Sequence, residues 1–235
     1  MTEGLAEFYN LTKGTGIRPR KTAGMLTGIL LFGISFMVAS GKVPATTCFI
    51  FFPLLLSFFI AELYRKSEHP LENIATGMLG VVYVAVPLSL ANFIVFPGNG
   101  SYSPNLMIAL LVLIWVYDSG AYLFGVSLGK HRLFERISPK KSWEGAIGGM
   151  LVAFAAAFFI SKQIREIPLI HWLVLALLVI LISTFGDLSE SLLKRQFGLK
   201  DSGRIIPGHG GLLDRFDSLF FAIPVFVCYV EFVVP

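Results

Sequence analysis

"NLMIALLVLIWVYDSGAYLFGVSL", Asn105–Leu128, carries one charge, Asp118, in an otherwise apolar run. A transmembrane helix needs about 20 mostly apolar residues, and this run meets that length. Asp118 lies about ten residues before Leu128, roughly 15 Å deep at 1.5 Å per residue. An acid at that depth points to function by default. The bland alternative is a structural hydrogen bond to Ser, Tyr or Trp groups of neighbouring helices, and the run alone leaves both open.

The rest of the chain matches this run. Its 235 residues are 55% hydrophobic and 14% charged, with a mean hydropathy of +0.74. A soluble domain is about 25% charged, so the composition is that of a membrane protein. The net charge of +4 is small and spread between apolar runs. It suits an anionic leaflet better than nucleic acid. Cys48 and Cys228 both fall in apolar runs and read as small hydrophobes, and there is no zinc-type Cys/His spacing. The N-terminal residues 1–21 lack the apolar core of a signal peptide. They read as a polar or interfacial cytoplasmic segment.

Seven spans are predicted: Thr22–Ala39, Val43–Tyr64, Ile74–Phe96, Asn105–Leu128, Trp143–Ile160, Ile170–Leu193 and Phe216–Val234. Pro53, Pro87 and Pro224 fall inside spans, where neighbouring helices can satisfy the freed carbonyls. With the N-terminus inside, all 19 Lys and Arg except Lys42, Lys162 and Arg165 fall on the inner side. That asymmetry sets the orientation. The expected fold is all-α: one polytopic integral-membrane domain over 1–235, with the N-terminus cytoplasmic. No repeat, low-complexity tract or long linker divides it.

The inner side also holds the chemistry. Asp187, Glu190, Ser191 and Lys194 follow at i, i+3, i+4 and i+7, so they share one helix face. Glu190 and Lys194 alone would make an ordinary pair on a solvated helix end. Asp187, one turn deeper after Gly186, is read as functional. Asp214 and Asp217 open the last span one turn apart, with Arg215 between them. One acid there caps a helix and complements its dipole; two aimed at one point need a cation, and oxygen ligands suit Mg²⁺. "PGHGG", Pro207–Gly211, is a glycine-rich turn into a helix start, where backbone N–H groups can cradle phosphate. His209 is read as a phosphate donor, against the alternatives of a base or a plain loop residue. "SPKKSWEG", Ser138–Gly145, is read as a dedicated loop in which Lys140 and Lys141 hold a headgroup or a triphosphate. Ordinary inner-side basic bias is the competing account. Gly125 and Gly129 have GxxxG spacing, read as close helix packing.

These residues resemble the phosphatidate cytidylyltransferases, or CDP-diacylglycerol synthases. The family signature has the form S-x-x-K-R-x4-K-D-x5-P-G-H-G-G-x-x-D-R-x-D. Ser191–Asp217, "SLLKRQFGLKDSGRIIPGHGGLLDRFD", matches every specified position. Upstream, "YDSGAYLFGVSLGKHRL" and "ISPKKSWEG" also look like family segments, so the resemblance covers 115–218. It implies that CTP and phosphatidic acid give CDP-diacylglycerol and pyrophosphate near the cytoplasmic surface of the bacterial inner membrane. It also implies dependence on Mg²⁺, with room for a second cation. Carried over residue by residue, Asp187, Asp214 and Asp217 look like metal carboxylates. Lys194 joins these three as a catalytic residue and, with Ser191, Arg195, Lys200, His209 and Arg215, would contact phosphate. Lys140 and Lys141 would hold CTP or the lipid headgroup. Asp201 is either a ligand or an orienting group for Lys200; Asp118 and Glu190 are either structural or part of the site. Assembly as a homo-oligomer stays open.

Family members usually carry further N-terminal spans, and Leu5–Leu11 looks like the inner end of one, so the chain is expected to lack spans that relatives have. Two other readings compete. One is an ion-coupled transporter in which Asp118 and Asp187 relay ions; the inner-face clustering of polar groups counts against it. The other is a related cytidylyltransferase acting on a different lipid phosphate, such as an isoprenoid ether lipid.

Overall fold

The computed structural model describes residues 1–98, 100–203 and 210–234. Seven helices among them are long and apolar enough to cross a membrane. Their bounds follow the apolar runs closely: Lys21–Ala39, Ala45–Leu63, Pro70–Val95, Asn105–Leu128, Trp143–Gln163, Leu169–Gln196 and Leu213–Val233. The all-α membrane fold expected from hydropathy is the one observed.

The described residues form two compact units, 1–103 with 196–216, and 104–195 with 217–235. One boundary lies in the turn-rich stretch before Asn105, and the other two fall near the end of the sixth span and in the first turn of the seventh.

In the first unit, α1 (Thr2–Asn10) precedes α2 (Lys21–Ala39), and a 3₁₀ turn (Ala45–Ile50) leads into α3 (Phe51–Leu63). The third span is α4 (Pro70–Gly80), a π turn (Val81–Ala85) and α5 (Val86–Val95) in succession. The π turn has a local cause. Pro87 has no N–H to donate, and its ring crowds the carbonyl four residues back, at Tyr83. A wider turn relieves both problems.

The N-terminal segment, expected to be polar or interfacial, contributes a helix that packs into this unit. Helix α1 buries Gly4, Leu5, Glu7, Phe8 and Tyr9, packing against α2 and α4. Burial raises the pKa of the Tyr9 hydroxyl, so it stays protonated and donates to the Gly77 carbonyl at 2.8 Å. Gly24 and Gly80 leave the room that its ring needs. A buried polar network closes the same unit. Asn73 donates to Glu62 and to Ser67 at 2.7 Å and accepts from the Arg18 N–H at 2.6 Å. Arg20 and Arg65 stand 4.0 and 3.8 Å from the buried Glu62 carboxylate. Farther along the bundle, Asn92 on α5 donates to Ser35 on α2 at 2.8 Å.

In the second unit, α6 (Asn105–Leu128) packs along α7 (Trp143–Gln163). Small residues make this contact possible. A Cβ on Gly120 would lie 3.0 Å from the Gly149 Cα, and one on Gly149 would lie 2.7 Å from the Tyr117 carbonyl. Gly125 belongs to the same seam, facing Ser142 and Gly145, and Gly129 caps the helix against Ser142. Close packing of small residues is how membrane helices associate without a hydrophobic driving force. Helices α8 (Leu169–Gln196) and α9 (Leu213–Val233) complete the spans. Pro224 sits inside α9 without ending it.

Candidate functional site

Between α6 and α7 the expected loop is a hairpin. β1 (Arg132–Phe134) pairs antiparallel with β2 (Ser138–Ser142). Glu144, in the first turn of α7, pins its base. The carboxylate accepts from the N–H groups of Lys130 and His131 at 3.1 and 3.2 Å and meets the His131 ring Nδ1 at 2.6 Å. Ser142 caps α7, accepting from the Gly145 N–H at 3.2 Å. The dedicated turn read from "SPKKSWEG" is thus held by its own Ser142 and Glu144.

This hairpin delivers Lys140 and Lys141 to a cavity of roughly 200 Å³. Tyr117, Asp118, Tyr122 and Ser142 also line it. Lys141 forms an ion pair with Asp187 of α8, each side chain half-buried. Asp118 lies within the electrostatic reach of both. The acid that sequence placed deep in the membrane therefore belongs to a charged cluster. Tyr117, one residue before it, is hydrogen-bonded to Thr184 at 2.8 Å, tying α6 to α8.

One turn away the cluster continues. Asp217 of α9 lies within electrostatic reach of the Asp187 and Glu190 side chains. Its Oδ1 also accepts from the Ser218 N–H at 2.6 Å. Gly186 lets α9 come this close, since a Cβ there would lie 2.7 Å from the Asp217 carbonyl. Glu190 pairs with Lys194 at 3.4 Å, but not on a solvated helix end: the Glu190 side chain is 1% exposed and that of Lys194 11%. Ser191 is half-buried on this helix, and Arg195 is exposed at its end. The second unit thus gathers four acids, Asp118, Asp187, Asp217 and Glu190, with two cations, Lys141 and Lys194.

Asp187 and Asp217 supply the oxygen donors a hard cation prefers. Two carboxyls at this separation repel as anions unless a cation or a proton lies between them. Mg²⁺ is commonly held by one or two carboxylates together with substrate phosphates, so these two residues fit it. Among the described residues, no set of three or more His, Cys, Asp or Glu converges as a metal cage by itself.

The first unit holds the other half of the signature. Asp214 uses one oxygen to organise it. Oδ2 accepts from the Ser202 N–H at 2.9 Å, the Ser202 hydroxyl at 3.0 Å and the Gly211 N–H at 2.7 Å. Gly210, with φ of 82°, supplies the left-handed turn before it. The Gly211 N–H, one of the groups expected to cradle phosphate, is therefore given to Asp214. Lys200, Asp201 and Arg215 are exposed. His209, like the rest of 204–209, lies outside the described residues.

Glu7, which sequence reasoning passed over, reaches this segment from α1. Its Oε2 accepts from the Leu213 N–H at 2.9 Å and from the Ser202 hydroxyl at 3.4 Å. An acid within the otherwise apolar "LAEFYNL" was the one signal available for it.

Comparison with known proteins agrees with the geometry. Residues 2–233 match the model of the Cytidylyltransferase family. The chain is 40% identical to a protein of Haemophilus influenzae, over 71% of this chain and 60% of that one. It is 39% identical to one of Staphylococcus haemolyticus, over 73% and 64%, and 33% identical to one of Synechocystis sp., over 99% and 86%. All three are named phosphatidate cytidylyltransferase. The chain spans less than two thirds of the length of the first two. With the family model matching nearly end to end and the Synechocystis relative aligned over almost the whole chain, this chain belongs to the cytidylyltransferase family.

Proposed function

We propose that the protein transfers the cytidylyl group of CTP to phosphatidic acid, giving CDP-diacylglycerol and pyrophosphate for phospholipid synthesis. The observation that carries this reading is the meeting of Lys141, Asp187 and Asp217, from three separate segments, beside the cavity under Asp118. Nothing in the packing of a membrane bundle requires such a cluster, whereas joining two polyanions does. The names borne by the relatives supply the same substrates.

The chemistry asks for little covalent work from the protein. A phosphatidate oxygen attacks the α-phosphorus of CTP in line, the bond to the β-phosphate oxygen breaks, and pyrophosphate leaves with that electron pair. Held by Asp187 and Asp217, Mg²⁺ would neutralise nonbridging oxygens. Lys140 and Lys141 bind an anionic substrate at the cavity. Lys194 and Arg195 offset phosphate charge in the second unit; in the first, Lys200 and Arg215 are further candidate phosphate contacts, and Asp214 keeps its loop in place. The distribution of Lys and Arg supports a cytoplasmic N-terminus, with the site facing the CTP pool across the inner membrane of a bacterium.

The test is direct. Membranes holding the protein are given labelled CTP and phosphatidic acid, and chloroform-soluble nucleotide is measured. The expected result is lipid-linked CMP with release of pyrophosphate, abolished by chelating Mg²⁺. A protein that gives no such product, yet carries ions in proteoliposomes, is a transporter.

A further inference from the structure

We infer that Glu7, which lies outside the signature, is a positioning residue for it: its buried carboxylate locks Ser202–Gly203 and Gly211–Leu213 together at the head of α9. The inference rests on the cytidylyltransferase reading for its effect on turnover, but not for the contact itself.

The geometry is specific. Glu7 is 4% exposed, and a buried carboxylate is tolerated only where hydrogen bonds replace its water. Those available come from the signature: the Leu213 N–H and the Ser202 hydroxyl, both on Oε2. The first N–H groups of a helix have no partner within the helix, so Glu7 caps α9 from another segment. Two glycines make the slot. A Cβ on Gly211 would lie 2.6 Å from Oε2 and 2.7 Å from Oε1, and one on Gly203 would collide with Oε1. The last glycine of "PGHGG" thereby acquires a concrete reason: it admits the Glu7 carboxylate.

Ser202 links this contact to the chemistry. Its single hydroxyl proton lies between two acceptors, Asp214 at 3.0 Å and Glu7 at 3.4 Å, with the shorter contact taking the larger share. Glu7 and Asp214 therefore grip the same residue from α1 and from α9. Releasing one carboxylate loosens the backbone that presents the other, together with Arg215 next to it.

The experiment compares the full chain with Glu7→Leu, Glu7→Gln and Gly211→Ala. Kinetics are read with CTP and phosphatidic acid, and backbone amide exchange is read by mass spectrometry. Glu7→Leu keeps bulk but removes both acceptors. Its kcat is expected to fall on the order of 10²-fold, the scale of a small misplacement of reacting groups, while KM for both substrates moves far less. Exchange should rise in peptides covering 202–213, with those of α6 and α7 unchanged. Gly211→Ala should reproduce this pattern by expelling the carboxylate. Glu7→Gln keeps an acceptor for Leu213 and should retain most of kcat. The inference is overturned if Glu7→Leu keeps the wild-type kcat. It is equally overturned if exchange rises evenly along the chain and activity falls only with the folded fraction. A wild-type protein without CTP turnover would remove the functional reading, while the exchange arm would still decide the contact.

Discussion

Lys141, at the end of the hairpin before α7, is ion-paired with Asp187 on α8, 46 positions later in the chain. Half-exposed pairs contribute little to stability, so the pair is better explained by what it can hold than by what it stiffens. Lys141→Met is expected to lower kcat/KM by roughly 10²-fold, the usual effect of removing one preorganised donor, with thermal unfolding nearly unchanged. The charge-swapped double variant Lys141→Asp with Asp187→Lys makes the check sharper. A structural pair would be restored by the swap; a pair that serves substrate and cation should remain inactive in the CTP assay.

Asp214 and Asp217 should separate in their behaviour, although the signature gives them equal standing. Asp217 stands with Asp187 and Glu190, whereas Asp214 spends one oxygen on Ser202 and Gly211. Asp217→Asn is expected to raise the Mg²⁺ concentration for half-maximal activity and cut kcat, without loosening the loop. Asp214→Ala should instead accelerate amide exchange around Ser202 and Gly211, with the Mg²⁺ requirement little changed. A Mg²⁺ titration of each variant beside its exchange profile tests this, and identical profiles would refute it.

The seam between α6 and α7 leaves no room for a side chain. Gly149→Leu would drive its Cβ to 2.7 Å from the Tyr117 carbonyl. Overpacking of this kind costs about 1–3 kcal/mol. Its melting temperature in detergent should drop by several degrees, with activity lost through displacement of Tyr117 and Asp118. Gly33→Leu, with nothing within 4 Å of its Cβ, is the matched control and should melt like the wild type.

Asn73 joins α4 to Glu62 and to the backbone at Arg18. Asn73→Ala leaves the Arg18 N–H and one Glu62 oxygen without this partner, a loss of about 1–3 kcal/mol. Asn73→Asp should be worse, because it sets a second anion against the buried Glu62. Thermal unfolding should follow that order, while KM for CTP of the folded fraction stays constant.

Hydropathy and spacing made much of this legible in advance. The seven spans were readable because crossing a bilayer is a property of each apolar run by itself, and Asn105–Leu128 has the same limits in the fold as in the sequence. The face shared by Asp187, Glu190 and Lys194 was readable because helical periodicity is local. The hairpin at Ser138–Ser142 was not, since its two lysines also fit a plain basic loop and its pairing depends on Glu144 holding the base. Nor was the packed α1, whose few apolar residues matter only once α2 and α4 lie against them.

The sequence by itself determined a polytopic helical membrane protein carrying the cytidylyltransferase signature. Tertiary structure alone decided which of those residues meet. Asp118 joined Lys141 and Asp187, Asp217 reached Asp187 across Gly186, and Glu7 entered the slot between Gly203 and Gly211. Each meeting depends on how closely two helices approach and which faces they turn inward. That is set by side-chain volume at the contact, where a glycine admits a carboxylate that any larger residue would exclude.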